Sequence, residues 1–90
     1  MEENQEILTN IKKLLGITKE DTSFDTDVLI NINSAFTTLR QLGIGPSEGF
    51  RITGYDEEWD EFISDDEMLD SVKTYIYLKV KLVFDPPLNA

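Results

Sequence analysis

The sequence predicts an all-α protein: a small helical bundle of three main helices plus a short helical turn, with at most a short strand near residues 50–53. Apolar residues recur at three- and four-residue spacing over most of the chain. Glycine and proline fall only at the breaks between those stretches, and no two segments are long enough to pair as strands.

The first helix is expected at about 3–15, where Ile7, Leu8, Ile11, Leu14 and Leu15 share helical spacing. Gly16 then supplies the left-handed residue that ends it, with Ile17 folding back on Ile11. The second, at about 23–42, opens on Thr22 three residues before Asp25, close to a capping box, with acids where the positive end of the helix dipole lies. Val28, Leu29, Ile32, Ala35, Phe36, Leu39 and Leu42 make its apolar stripe. Leu42, Gly43 and Ile44 repeat the ending Leu15, Gly16, Ile17, so one stop device serves both helices.

Residues 43–63 form a turn region holding four of the five glycines. Within it "FRIT" is at most a strand without a ladder, and "WDEFI" is a helical turn that sets Trp59, Phe62 and Ile63 against the helices.

The last helix, 65–84, needs more argument, because "YIYLKVKLVF" alternates apolar and polar residues like a half-buried strand. Its start decides the matter. Ser64 reads as N-cap, Glu67 as the residue returning the hydrogen bond, and Ile63 as a staple onto Met68. No glycine or proline follows until Pro86, which forces Asp85 out of helical geometry. Leu69, Val72, Ile76, Val80 and Val83 then form one stripe, with Met68, Tyr75 and Leu82 beside it. A helix apolar on so much of its circumference needs partners on more than one side.

Ninety residues suit a single domain, residues 1–90, with a thin core. Cysteine and histidine are both absent, which removes disulfides, thiolate metal sites, the commonest general base and the commonest zinc ligand. No cofactor is expected. The start "MEENQEILTN" is acidic, without the basic region and apolar run of a secretory signal, and no segment reaches membrane-span length; a soluble intracellular protein is expected. Eighteen acids against eight bases give a net charge of −10, which repels phosphate backbones and argues against nucleic-acid binding.

Half of the 18 acids lie between Asp56 and Asp70: Asp56, Glu57, Glu58, Asp60, Glu61, Asp65, Asp66, Glu67 and Asp70. The run lacks the ordered oxygen spacing and central glycine of a calcium loop, so it reads as a solvated acidic face. No acid sits in a visibly apolar setting that would tune it for hydrolysis. The serines and threonines have no histidine to activate them, and lysines such as Lys73 show no special context. "GIGPSEG" lacks the lysine and the setting of a phosphate loop and reads as a plain turn. Tyr55, Trp59, Phe62, Tyr75 and Tyr77 lack the basic interleaving of a base-stacking surface and read as core or interface anchors. An enzyme is not expected.

"FDTDVLININSAFTTLRQLGIGPSEGF", "WDEFISDD" and "VKTYIYLKVKLVFDPP" together resemble the small head-tail connector proteins of tailed bacteriophages and of prophages in Gram-positive bacteria. The likeness runs from about Ile7 to Leu88 and rests on helix ends, aromatics and the "FDPP" stop, none of them catalytic. It implies an all-helical subunit of a closed ring beneath the portal, joining the DNA-filled head to the tail. The partners implied are further copies, the portal and tail-joining proteins; the location is the virion's head-tail junction, and the host cytoplasm during assembly. Family members usually continue past the double proline into a further helix, whereas this sequence ends at Ala90.

The residues are consistent with such a subunit. An acidic lumen would let DNA pass without sticking. Apolar side chains that the monomer cannot cover would join the copies, with Tyr75, Tyr77, Leu82 and Phe84 as candidates. The competing reading is a small acidic module that mimics DNA or blocks a basic protein surface.

Overall fold

A computed structural model describes residues 6–84. Four helices are present among the described residues: α1 (Ile7–Leu14), α2 (Asp25–Gln41), α3 (Trp59–Phe62) and α4 (Asp66–Phe84). The expected start of the first helix at residue 3, and the proline stop after Phe84, lie outside the described residues. The alternating segment is helix throughout, because its real period is set by Val72, Ile76 and Val80, which are buried against α2 and α1.

The two matching helix ends follow the same physics. After α1, Ile17 N–H donates to Lys12 O at 2.8 Å and Gly16 N–H to Lys13 O at 3.0 Å. After α2, Ile44 N–H donates to Leu39 O and Gly43 N–H to Arg40 O, both at 2.9 Å. Gly16 and Gly43 have φ of 83° and 84°, the left-handed conformation this double bond requires.

Helix starts depart from expectation. The N-cap of α4 is Asp65: its carboxylate accepts from Glu67 N–H at 3.0 Å and Met68 N–H at 3.2 Å, and its carbonyl takes the first helical bond from Leu69 at 2.8 Å. Ser64 and the Ile63–Met68 staple are therefore one residue out of frame. A carboxylate at this point also meets the dipole's positive end, which a serine cannot match. At α2, Thr22 offers its backbone carbonyl to Asp25 N–H at 3.2 Å, no side chain caps the helix, and the Asp25 carboxylate is engaged elsewhere.

Nor does a strand form at residues 50–53. In its place the Asn33 side chain acts as a one-residue ladder: its Nδ2 donates to Ile52 O at 2.9 Å and its Oδ1 accepts from Ile52 N–H at 2.7 Å. Both backbone groups of the buried Ile52 are thereby satisfied without a sheet.

One core joins the elements, drawn from Ile7, Leu8 and Ile11 of α1, Val28, Ile32, Ala35, Phe36 and Leu39 of α2, and Val72, Ile76 and Val80 of α4. Ile52, Trp59 and Phe62 close it from the connecting region. Phe36, Phe50 and Phe62 cluster with ring centroids 4.6 to 5.4 Å apart. Gly45 lies so close to this cluster that an added Cβ would collide with the Phe62 ring. The stripes are shorter than the sequence pattern: Leu14, Leu42 and Val83 are exposed. On α1 the buried face contains Asn10 and Lys12 instead of Leu14.

Candidate assembly interface

A lysine buried among apolar neighbours demands partners. Lys12 is fully buried, and its Nζ reaches Asp25 Oδ1 at 2.7 Å, Tyr55 Oη at 2.7 Å, Asp21 O at 2.7 Å and Lys19 O at 3.2 Å. Tyr55 in turn donates its hydroxyl to Asp25 Oδ2 at 2.7 Å. The ammonium thus pins the loop 15–24 and the segment around Tyr55 to α1. Burial alone would depress its pKa, but the hydrogen bonds that it donates to Asp25 and Tyr55 and the Asp25 charge outweigh that, and it is held above the ordinary lysine value. Burial would likewise raise Asp25, yet Lys12 and Tyr55 hold its carboxyl below the ordinary value. A second buried polar contact, Trp59 Nε1–H to Asn10 Oδ1 at 3.0 Å, anchors α3 to α1.

This network is a structural clasp. Its polar groups bond to one another and to the carbonyls of Lys19 and Asp21. Among the described residues, no three acids converge in a way that could hold a metal ion, and no helix is long and apolar enough to cross a membrane.

The four side chains expected at an interface divide by the geometry of α4. Residues seven apart lie on one face of a helix. Tyr75 and Leu82 therefore share one flank of the buried stripe, and Tyr77 and Phe84 share the other. On the first flank Leu82 is 64% exposed and Leu78, which the sequence pattern did not single out, is 50% exposed. Half-buried Tyr75 packs beside the core there, with Lys79 Nζ 5.9 Å from its ring centroid. On the second flank Tyr77 and Phe84 are half-buried, and Phe84 meets Phe24 edge to face at 5.9 Å.

The acidic run is mostly exposed, with different local duties. Glu57 is half-buried: one carboxylate oxygen accepts from Thr53 N–H at 3.1 Å and Thr53 Oγ1 at 2.9 Å. Burial pushes its pKa up, but those hydrogen bonds win and lower it. Glu61 accepts from Glu58 N–H at 3.1 Å at the start of α3, and Asp65 caps α4. Asp56, Glu58, Asp60, Asp66, Glu67 and Asp70 are exposed.

The described residues thus form a helical molecule with apolar side chains on two flanks of its last helix, an acidic surface and a buried polar clasp. Compared with known protein families, residues 7–90 match the phage connector proteins. The chain belongs to that family. No curated protein and no solved structure matches it. Membership makes the connector a structural protein of the bacteriophage head-tail junction and a component of the virion. Membership also implies contact with other phage head and tail proteins.

Proposed function

We propose that this connector is the subunit of a closed ring that joins the portal to the tail and lines the DNA passage without chemical activity of its own. The reading is carried by the outward apolar side chains of α4. Leu78 and Leu82 stay exposed on a helix whose opposite stripe is fully buried, so they are not part of the core that the described residues build. Apolar surface left over from folding is what oligomerisation covers. Tyr75 and Leu82 on one flank, with Tyr77 and Phe84 on the other, give each copy two distinct patches. Surface on more than one side suits a subunit that meets both further copies and other head and tail proteins.

The net charge of −10 supports the passage role, since acids facing a lumen keep phosphates from adhering. The test is sedimentation of the full chain over a wide concentration range, with a duplex oligonucleotide present or absent. Assemblies that grow with concentration and leave the duplex free are expected. A chain that stays monomeric and instead binds a basic polypeptide, with affinity falling steeply as salt rises, would mark it as an acidic mimic.

A further inference from the structure

Arg40 and Arg51 are the chain's only arginines, and both line one cleft. It lies between the C-terminal half of α2 and residues 48–51, has a volume of about 320 Å³, and includes Phe36 and Phe50 in its wall. Arg40 is held in place: its Nε donates to Ser47 O at 3.1 Å and its side chain lies along Gly49, where an added Cβ would stand 3.4 Å from Cδ. Both arginines are exposed, and among the described residues neither forms an ion pair, although Glu48 lines the same cleft. In a chain with 18 acids, two arginines gathered on an aromatic wall and left without acidic partners form a recognition surface for carboxylates.

We propose that this cleft receives the acidic flank of α4 from a neighbouring copy, with Asp66 and Asp70 meeting Arg40 and Arg51. This rests on the ring reading above. Asp66 and Asp70 stand four residues apart on one face of α4, exposed, and like charges at that spacing destabilise an isolated helix. A cationic partner relieves the repulsion. Tyr77, seven residues beyond Asp70, continues the same flank, so the flank offers two carboxylates, then Lys73, whose ammonium is drawn aside over the Trp59 ring at 5.6 Å, and then an aromatic ring. The cleft offers two guanidiniums beside Phe36 and Phe50. Charge and apolar character are complementary in the same order of parts. Because cleft and flank are different patches, the contact is head-to-tail, the kind that closes rings.

A charge swap tests it. Arg40→Glu with Arg51→Glu makes the cleft acidic and leaves the flank acidic; Asp66→Arg with Asp70→Arg makes both basic. Each variant chain, supplied alone to connector-deficient particles, is expected to lower head-tail joining at least tenfold. The two supplied together are expected to restore joining to within about twofold of the unaltered chain, since copies that alternate around the ring set every cleft against a flank of opposite sign. Arg40→Gln/Arg51→Gln and Asp66→Asn/Asp70→Asn, milder changes whose thermal melts confirm folding, are expected to weaken joining in the same direction. If both swapped variants join heads to tails as well as the unaltered chain does, or if the mixture rescues nothing, the assignment of the cleft fails and the ring reading stands. If the unaltered chain restores no joining, the ring reading itself fails. If duplex DNA binds the unaltered chain and the Arg40→Glu/Arg51→Glu change abolishes that binding, the arginines serve a phosphate backbone and the assignment to a second copy is overturned.

Discussion

The clasp around Lys12 and the outward face of α4 invert the usual rule of polar outside and apolar inside. At the clasp, a buried ammonium meets a half-buried carboxylate, a tyrosine hydroxyl and two backbone carbonyls. On α4, Leu78 and Leu82 face solvent on a helix whose other side is sealed. The difference separates two kinds of energy. Groups in the clasp are committed to one another and hold loops to α1, so they serve the fold; the leucines on α4 are exposed among the described residues, so on the ring reading their free energy is realised on assembly.

The comparison breaks most visibly at the clasp. Asp25→Ala would strand the Lys12 charge in the interior, and removing one partner of a buried pair costs about 3–5 kcal/mol. The thermal melt of the isolated chain should fall accordingly. The pH dependence follows from the two shifts. Asp25 is lowered, so its contribution is complete above the ordinary aspartate range and lost as pH falls through that range and below it. Lys12 is raised, so its contribution is complete below the ordinary lysine range and is lost as pH rises through that range and above it. With no histidine in the chain, stability should be flat between about pH 5 and 9 and fall on the acid side, as urea midpoints across pH would show.

Asn33→Ala should cost less, about 2 kcal/mol, because it leaves the buried N–H and C=O of Ile52 without partners. Urea denaturation measures this directly, and a change below about 0.5 kcal/mol would mean that water replaces the amide without loss.

Much of the fold was legible because its signals are local. The glycine stops after Leu15 and Leu42, the uninterrupted period of α4 and the short turn at Trp59 each depend on residues within one or two turns of each other. The clasp was not, although one clue was present. Lys12 lies on the α1 face defined by Leu8, Ile11 and Leu15, where a charged residue is out of place, while its neighbour Lys13 lies off that face. Its acceptor Tyr55 is 43 residues away, and no local pattern announces such a pairing. The same distance problem hid the Asn33 amide behind the expectation of a strand. On α4, the alternation drew attention to Tyr77 and Phe84, which are half-buried, and away from Leu78, which is exposed.

The cap of α4 offers a smaller and sharper test. Asp65→Ala should lose about 1 kcal/mol, whereas Ser64→Ala should change stability by less than about 0.5 kcal/mol. Equal losses at the two positions would return Ser64 to the capping role that the sequence pattern gave it.

The smallest expected effect on the fold belongs to the outward face, and there the account is most exposed. Replacing Leu78 and Leu82 together with glutamate should leave the melt of the isolated chain within about 0.5 kcal/mol per site of the unaltered protein, as for other surface changes. The same variant, supplied to connector-deficient particles, should fail to join heads to tails. A variant that melts many degrees lower, yet joins particles as well as the unaltered chain in proportion to its folded fraction, would place these leucines in the core of the fold and contradict the account.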